Sequence, residues 1–170
     1  MTIENCTQND VDMIYKLYED ARTLQALRQM VVWPYFDKQF LCKEIQQQQQ
    51  WKILIDNEIA CNWMINLNDR EIWEERDKDD AIYIHRIVTN PTFRGNNFVR
   101  SIVEWATLFA HKNRREYIRL DTLGNNTRLI DHYTECGFTF LGMFKLTNTQ
   151  NLPLHYQKEP DCCLFEISIM

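Results

Sequence analysis

From Tyr83 to Phe138 the sequence reads as an apolar strand, an Arg-Gly turn that opens a long amphipathic helix, a second strand and a short helix, and this order constrains the fold more than any other feature. The strand Ala81–Thr89 is mostly apolar on both faces, as expected of a central strand in a sheet. An Arg94-Gly95 turn then precedes a helix whose apolar positions recur at helical spacing. Because a helix start presents unpaired N–H groups at its positive dipole end, this segment predicts a site for a phosphate-bearing ligand.

The composition is that of an ordinary globular protein. The 170 residues suffice for one well-buried domain, and we expect a single domain over residues 1–170. With 45% hydrophobic residues and a net charge of -5, and with its basic residues scattered, the chain offers no basic face for nucleic acid. No apolar run approaches the ~20 residues of a membrane span, and the N-terminus lacks the features of a signal peptide. We therefore predict a cytoplasmic protein without a nucleic-acid or membrane partner.

The six cysteines favour the same placement. They include no Cys-x-x-Cys pair, and most of them lie in apolar stretches. We interpret them as reduced core residues, as is usual in a reducing compartment, and we expect no metal site.

Hydrophobic periodicity predicts a chain of mixed helices and strands. A charged stretch from Asp69 to Asp80 is predicted to be a solvated loop in which only Trp73 packs locally. The other predicted elements, in chain order, are a strand at 2–6, helices at 8–30 and 36–45, a hairpin at 51–65, the strand and helix described above, a strand at 117–121, a helix at 126–136, a strand at 138–146, a loop at 147–161 and a strand at 162–169.

These residues resemble the GNAT superfamily of N-acetyltransferases. The resemblance is carried by Ile87-Val88-Thr89-Asn90-Pro91-Thr92-Phe93-Arg94-Gly95, the helix after it, Arg119-Leu120-Asp121, Asn126 and Tyr133-x-x-x-Gly137-Phe138. It implies an α/β (α+β) fold with a mixed, mostly antiparallel central sheet of six to seven strands flanked by about four helices. The order of the predicted elements follows that fold over nearly the whole chain.

The resemblance implies that acetyl-CoA is the cosubstrate and that its pyrophosphate lies at the Arg94-Gly95 turn. The family writes this loop Gln/Arg-x-x-Gly-x-Gly/Ala, and here Asn97 and Val99 replace the two later small residues. Asparagine tolerates a left-handed backbone, whereas a branched side chain at Val99 is expected to weaken coenzyme binding if it faces the ligand. The residues implied to bind acetyl-CoA are Ile87, Val88, Thr89, Arg94, Gly95, Asn96, Asn97, Phe98, Val99, Arg100, Asn126 and Tyr133.

Direct acetyl transfer to an amine requires a stabilised oxyanion and a proton for the leaving thiolate. By resemblance, the backbone N–H of Val88 or Thr89 faces the acetyl oxygen. Tyr133 matches the tyrosine that commonly serves as general acid near the sulfur, and its alternative role is an aromatic packed on the sheet. Asn126 matches an asparagine near the pantetheine, and its alternative role is a helix N-cap.

The enzymes that this chain resembles carry a base or water-holding residue at the positions of Tyr83 or His85, and His85 is therefore the candidate general base. Strand alternation places it on one face with Tyr83, Ile87 and Thr89, and an imidazole with a pKa of ~6.5 can accept a proton near neutral pH. A structural histidine is the alternative. The other candidate bases are the loop carboxylates Glu71, Glu74 and Glu75.

The resemblance implies that the first two helices and the loop before the final strand bind the acceptor, a primary amine of a small molecule or a peptide. Aromatic residues of these segments are expected to form a wall there. Core packing is the alternative for Trp33 and Phe36. The residues implicated in acceptor binding are Trp33, Tyr35, Phe36, Tyr83, His155 and Tyr156.

Two further predictions concern assembly and activity. Many proteins of the fold that this chain resembles pair through their final strands, and the apolar end of the chain, residues 164–170, would leave an exposed sheet edge if unpaired, so a homodimer is predicted. A non-catalytic module that binds acyl-CoA is the alternative to an enzyme. A doubly wound nucleotide-binding domain lacks support, since neither Gly-x-Gly-x-x-Gly nor Gly-x-x-x-x-Gly-Lys occurs in the sequence.

Overall fold

The computed structural model describes residues 1–78, 80–159 and 161–169. Predictions that touch Asp79, Pro160 and Met170 therefore lie outside the described residues. The helices and strands are β1 (Thr2–Asn5), α1 (Val11–Leu27), α2 (Lys38–Gln46), β2 (Gln50–Ile55), β3 (Glu58–Asn66), α3 (Arg70–Trp73), β4 (Ala81–Thr89), α4 (Phe98–Lys112), β5 (Tyr117–Leu123), α5 (Thr127–Glu135), β6 (Thr139–Lys145), α6 (Leu154–Lys158) and β7 (Asp161–Ser168).

Seven strands form one sheet in the order β1-β2-β3-β4-β5-β7-β6. The pair β4 and β5 is parallel, whereas β1 and β2, β2 and β3, β5 and β7, and β6 and β7 are antiparallel. The predicted mixed, mostly antiparallel sheet is confirmed. Over the described ranges there are six α-helices rather than about four, because single turns, α3 and α6, form inside segments predicted to be loops.

The chain divides into two compact units, within each of which the residues contact one another closely. The single domain predicted over residues 1–170 stays a prediction. The first unit comprises Met1–Ile65 and His85–Phe98. In its core, the inward faces of α1 and α2 contribute Ile14, Leu17 and Leu41, which are fully buried. The spacing of such residues at three and four positions explains why α1 forms an amphipathic helix.

The second unit comprises Asn66–Ile84 and Val99–Met170. The stretch predicted to be a solvated loop instead forms α3 and a 3₁₀ turn, and Trp73 at its centre is only 1% exposed. Arg119 explains the difference, since its guanidinium donates to the Arg76 carbonyl at 2.9 Å and to Asp80 at 3.1 Å. A long-range partner therefore folds a segment whose local sequence is typical of a loop.

The C-terminal strand is not a sheet edge. β7 lies between β5 and β6 and has an antiparallel register with both. Within the stretch 164–170, residues 164–166 pair with both β5 and β6, and residues 167 and 168 pair with β5. The expected exposed edge is therefore absent at residues 164–166. The homodimer remains a prediction, without this argument. No helix within the described ranges is long and apolar enough to cross a membrane.

Candidate active site

A change of backbone conformation divides β4. Its register with β5 ends at the pair Ile84 and Leu120. Arg86 then adopts φ 52°, in the left-handed region, which costs a non-glycine residue about 1–3 kcal/mol. Such a bulge-like residue interrupts the alternation of side chains along a strand. The single face predicted for Tyr83, His85, Ile87 and Thr89 is therefore not continuous, because the interruption falls within it.

Asn90 fixes the point at which β4 ends. Its backbone N–H donates to the Ala60 carbonyl and its Nδ2 to the Ile59 carbonyl, both at 2.9 Å. Its Oδ1 accepts from the backbone N–H and the hydroxyl of Thr92, at 3.2 and 2.9 Å. Asn90 thus joins β3 to the start of the following turn, a role that the Asn-Pro pair, a known turn signal, could have indicated.

The turn from Arg94 to Asn97 is exposed along its whole length. Gly95 adopts φ 92° and Asn97 φ 41°, so asparagine takes the left-handed conformation that was expected of it. A Cβ at Gly95 would meet nothing within 4 Å. The glycine is therefore required for its backbone angle rather than for space.

At the start of α4, two buried residues follow the exposed turn. Phe98 and Val99 are 4% and 7% exposed, whereas Arg100 is exposed and its Nη2 lies 3.4 Å from the Glu135 carbonyl. The isopropyl group of Val99 is thus enclosed by protein. The first N–H groups of a helix lack intrahelical partners and lie at the positive dipole end, so this turn has the chemistry of an anion site.

α5 carries the two residues matched to the pantetheine region and the sulfur. Asn126 is the N-cap, and its Oδ1 accepts from the Leu129 N–H at 3.2 Å. Tyr133 is buried, and its ring centroid lies 5.3 Å from that of Phe165 and 5.9 Å from that of Phe138. Both packing alternatives are thus realised, and they fix the positions of the two side chains. Their roles toward coenzyme stay predictions.

His85 is a weak base in this environment. Burial and the neighbouring Arg86 guanidinium lower the pKa of His85 to about 3. The imidazole is therefore neutral near pH 7, but it accepts a proton far less readily than the ordinary value of ~6.5 implies. The fallback carboxylates Glu71, Glu74 and Glu75 line an exposed groove in the second unit.

A pair of carboxyl groups, Asp69 and Asp121, was missed by sequence reasoning. Carboxylate oxygens of the two residues lie within 4.8 Å of each other. Burial, and then the charge of Asp121, raise the pKa of Asp69. Burial also raises the pKa of Asp121, although hydrogen bonds from the Tyr156 hydroxyl at 2.8 Å and the Cys162 thiol at 3.5 Å oppose that shift. Two interacting carboxyls with raised pKa values can exchange a proton closer to neutral pH than an isolated aspartate can.

The residues predicted to bind the acceptor differ in their exposure to solvent. Tyr83 is fully buried, and its hydroxyl donates to Asp77 at 2.8 Å and accepts from Arg119 at 3.1 Å. The side chain belongs to the core of the second unit, and its assignment to acceptor binding stays a prediction. His155 lies beside Tyr156, with ring centroids 4.5 Å apart, and burial lowers the pKa of His155 to about 4.

The remaining aromatic residues of the wall belong to the first unit. Trp33 and Phe36 pack on Tyr18, with ring centroids 5.8 and 4.9 Å from it. Core packing, the alternative for this pair, is thus observed. Tyr35 is 75% exposed, and the Arg22 guanidinium carbon lies 3.4 Å from its ring centroid.

Comparison with known proteins bears directly on this arrangement. Residues 12–138 match the Acetyltransferase (GNAT) family. The chain belongs to this family. The matched region contains the divided strand β4, the turn before α4 and all of α5 with its capping residue, so the resemblance drawn from the sequence is confirmed.

Individual relatives of this GNAT protein match only part of their length. It is 28% identical over 74 residues to the uncharacterized N-acetyltransferase YesJ of Bacillus subtilis, covering 44% of this chain and 41% of YesJ. It is 35% identical over 65 residues to a streptothricin acetyltransferase of Escherichia coli, covering 38% of this chain and 37% of that protein. The matches thus span about two fifths of these curated relatives.

A solved structure has the same fold over nearly all of the chain. The putative acetyltransferase yncA of Salmonella typhimurium, solved with its cofactor acetyl-CoA, superposes with a TM-score of 0.70 at 12% identity. The superposition covers 99% of this chain and 94% of that one. At this identity the likeness establishes the fold of the GNAT protein and no more.

Proposed function

We propose that this GNAT protein transfers an acetyl group from acetyl-CoA to a primary amine of a small molecule or peptide by direct attack. The observation that carries the proposal is the exposed turn from Arg94 to Asn97, with left-handed Gly95 and Asn97 leading into the start of α4. This is the arrangement that a helix N-terminus needs to accept a phosphate on backbone N–H groups. The burial of Val99 keeps its branched side chain enclosed at this point.

The chemical roles follow from the family resemblance and from the local structure. The amide of Val88 or Thr89, just after the left-handed Arg86, is proposed to donate to the acetyl oxygen as negative charge develops there. Tyr133, held by its aromatic neighbours, is proposed to give its proton to the departing thiolate.

The proton of the attacking amine needs an acceptor better than His85. Since the pKa of His85 is lowered to about 3, we propose that the carboxyl pair Asp69 and Asp121 takes this proton, through water where the distance requires it. The negative charge of such a pair also attracts an ammonium group before it loses its proton. This favours an acceptor that is cationic in solution.

Two measurements test the proposal in order. Acetyl-CoA at a hundred times its Kd should add about 2.7 kcal/mol to the free energy of unfolding, which raises the melting temperature. Release of CoA thiol is then followed across polyamines, amino sugars, amino acids and peptide N-termini. The absence of a thermal shift at millimolar acetyl-CoA would contradict both an enzyme and a coenzyme-binding module.

A non-catalytic acyl-CoA-binding module is the second candidate. It is favoured by Asn97 and Val99, which stand where the family usually has small residues, and by the weak basicity of His85. A thermal shift with acetyl-CoA, without thiol release for any amine in the panel, would support the module over the enzyme.

A further inference from the structure

We propose that Glu44 is a positioning residue for acetyl transfer, acting through a buried ion pair with Arg86 that holds the acetyl-binding end of β4. The inference rests on the proposed function, because it assigns the Val88 or Thr89 amide to the acetyl oxygen. It goes beyond that function in naming a side chain of α2 on which the placement of that amide depends.

The first observation is a carboxylate on the buried face of a helix. Glu44 is 3% exposed and lies between the buried apolar residues Leu41 and Ile45 of α2. A buried carboxylate is unfavourable unless its oxygens are paired. Here Oε1 accepts from Arg86 Nη2 at 2.5 Å and Oε2 accepts from Gln50 Nε2 at 2.8 Å.

The second observation is that this ion pair belongs to a larger buried network. Gln50 and Asn62 are fully buried, and Asn62 Nδ2 donates to Gln50 Oε1 at 3.0 Å. Gln50 Nε2 also lies 3.1 Å from the Tyr18 hydroxyl. A network of this kind specifies one arrangement, because breaking any member leaves a buried polar group unsatisfied.

Arg86 is confined on its other faces by aromatic rings. Its guanidinium carbon lies 5.0 Å from the ring centroid of Phe36 and 5.5 Å from that of Tyr18. A planar guanidinium suits both a carboxylate and a ring face, which lysine does not. The side chain of Arg86 is therefore fixed in a core that also contains Val88.

The third observation connects this anchor to the chemistry. Arg86 is the residue of β4 with φ 52°, and Val88 follows two residues later. An unfavourable backbone conformation persists only where the surroundings determine it, and such conformations concentrate at functional sites. The Glu44 carboxylate, on a separate helix, holds Arg86 in this backbone conformation. It therefore sets the direction of the backbone N–H groups of Val88 and Thr89.

The test is the near-isosteric Glu44→Gln variant, assayed for thiol release with acetyl-CoA and the best amine. We expect kcat to fall about tenfold, while KM for acetyl-CoA changes less than about twofold. The expected fall is smaller than the ~10²–10³-fold loss of kcat that follows complete removal of an oxyanion donor. The reason is that the acetyl-facing amide acts mainly in the transition state, whereas the turn before α4 still binds the coenzyme. In amide NMR spectra, the signals of Val88 and Thr89 should move and those of Gly95 and Asn97 should not.

The matched control is Asp10→Asn, which weakens another largely buried ion pair of this unit, between Asp10 and Lys52 at 2.8 Å. It should lower stability without changing kcat at a temperature where the protein is folded. An equal loss of kcat in both variants would show that Glu44 acts through stability alone and would overturn the inference.

The outcomes separate this inference from the proposed function. If the wild-type protein binds acetyl-CoA but releases no thiol for any amine, the proposed function fails and this inference fails with it. If the wild type turns over and Glu44→Gln matches its kcat, only the inference is overturned. Should Glu44→Gln not fold, Arg86→Lys serves for the same test, because it keeps a cation beside Glu44 but loses the planar guanidinium. We expect kcat of Arg86→Lys to fall about threefold, and an unchanged kcat would overturn the inference.

Discussion

Two polar segments of similar appearance in the sequence behave differently in the structure. The turn from Asn90 to Asn97 stays exposed over most of its length and is shaped by its own residues, through the Asn90 side chain and the left-handed Gly95 and Asn97. The charged segment from Asp69 to Asp80 instead packs Trp73 into a core. The first segment is shaped mainly by its own residues and is anchored to β3 through Asn90, whereas the second depends on distant partners, so more of the first could be predicted.

The strongest test of this difference is Trp73→Ala. Trp73 is 1% exposed and packs on Tyr83, with ring centroids 5.7 Å apart, while the Arg119 guanidinium lies 4.9 Å from its ring. Removing a fully buried tryptophan should lower the free energy of unfolding by about 3–5 kcal/mol, measured by urea denaturation. Glu75→Ala, at an exposed position of the same segment, is the control and should change it by less than about 0.5 kcal/mol. Similar losses in both variants would mean that the segment is not anchored by its aromatic residue.

The same difference between local and distant contacts separates the features that the sequence predicts from those that it does not. Helix and strand periods, the Arg94-Gly95 turn and the left-handed Asn97 depend on neighbours a few residues away, and each of them was predicted. The anchoring of the segment by Arg119 and the nearness of Asp69 to Asp121 depend on residues more than 35 positions apart. No periodicity reports such pairings. A charged residue in a central apolar strand, as Asp121 is, was the one local signal of a buried carboxyl.

Replacing a carboxyl of the pair should have the next largest effect. In Asp121→Asn, loss of the shared charge should lower kcat/KM at pH 7 about a hundredfold, as expected when a general base is impaired. Because the charge of Asp121 helps to raise the pKa of Asp69, the acid limb of the pH profile of kcat/KM should also move to lower pH. Glu71→Gln, at an exposed fallback carboxylate, should remain near the wild type. A larger loss in Glu71→Gln than in Asp121→Asn would assign the base to the groove instead.

The pH dependence of stability tests the environment of His85. Its pKa is about 3 in the folded protein and ~6.5 when unfolded, so the unfolded chain binds more protons between these values. Stability associated with His85 is therefore fully present above pH ~6.5 and is lost as pH falls toward 3, by up to about 1.4 kcal/mol per pH unit. The free energy of unfolding should fall less steeply in His85→Gln than in the wild type from pH 6.5 to 5. Replacement of the exposed His111 by Gln should leave the wild-type slope, and equal slopes in all three proteins would show that His85 is well hydrated.

The smallest predicted effect addresses the locally determined turn. Gly95 has φ 92° with open space around it, so Gly95→Ala should cost about 1 kcal/mol through backbone strain alone. Gly137 is a matched control, since it has φ 102° and equally open space but follows α5. Both alanine variants should lose similar stability in urea, whereas only Gly95→Ala should raise the Kd for acetyl-CoA, because only there does strain disturb the N–H groups proposed to hold the pyrophosphate. An equal rise in Kd for Gly137→Ala would argue that the coenzyme responds to general destabilisation, and an unchanged Kd in both variants would remove the pyrophosphate from this turn.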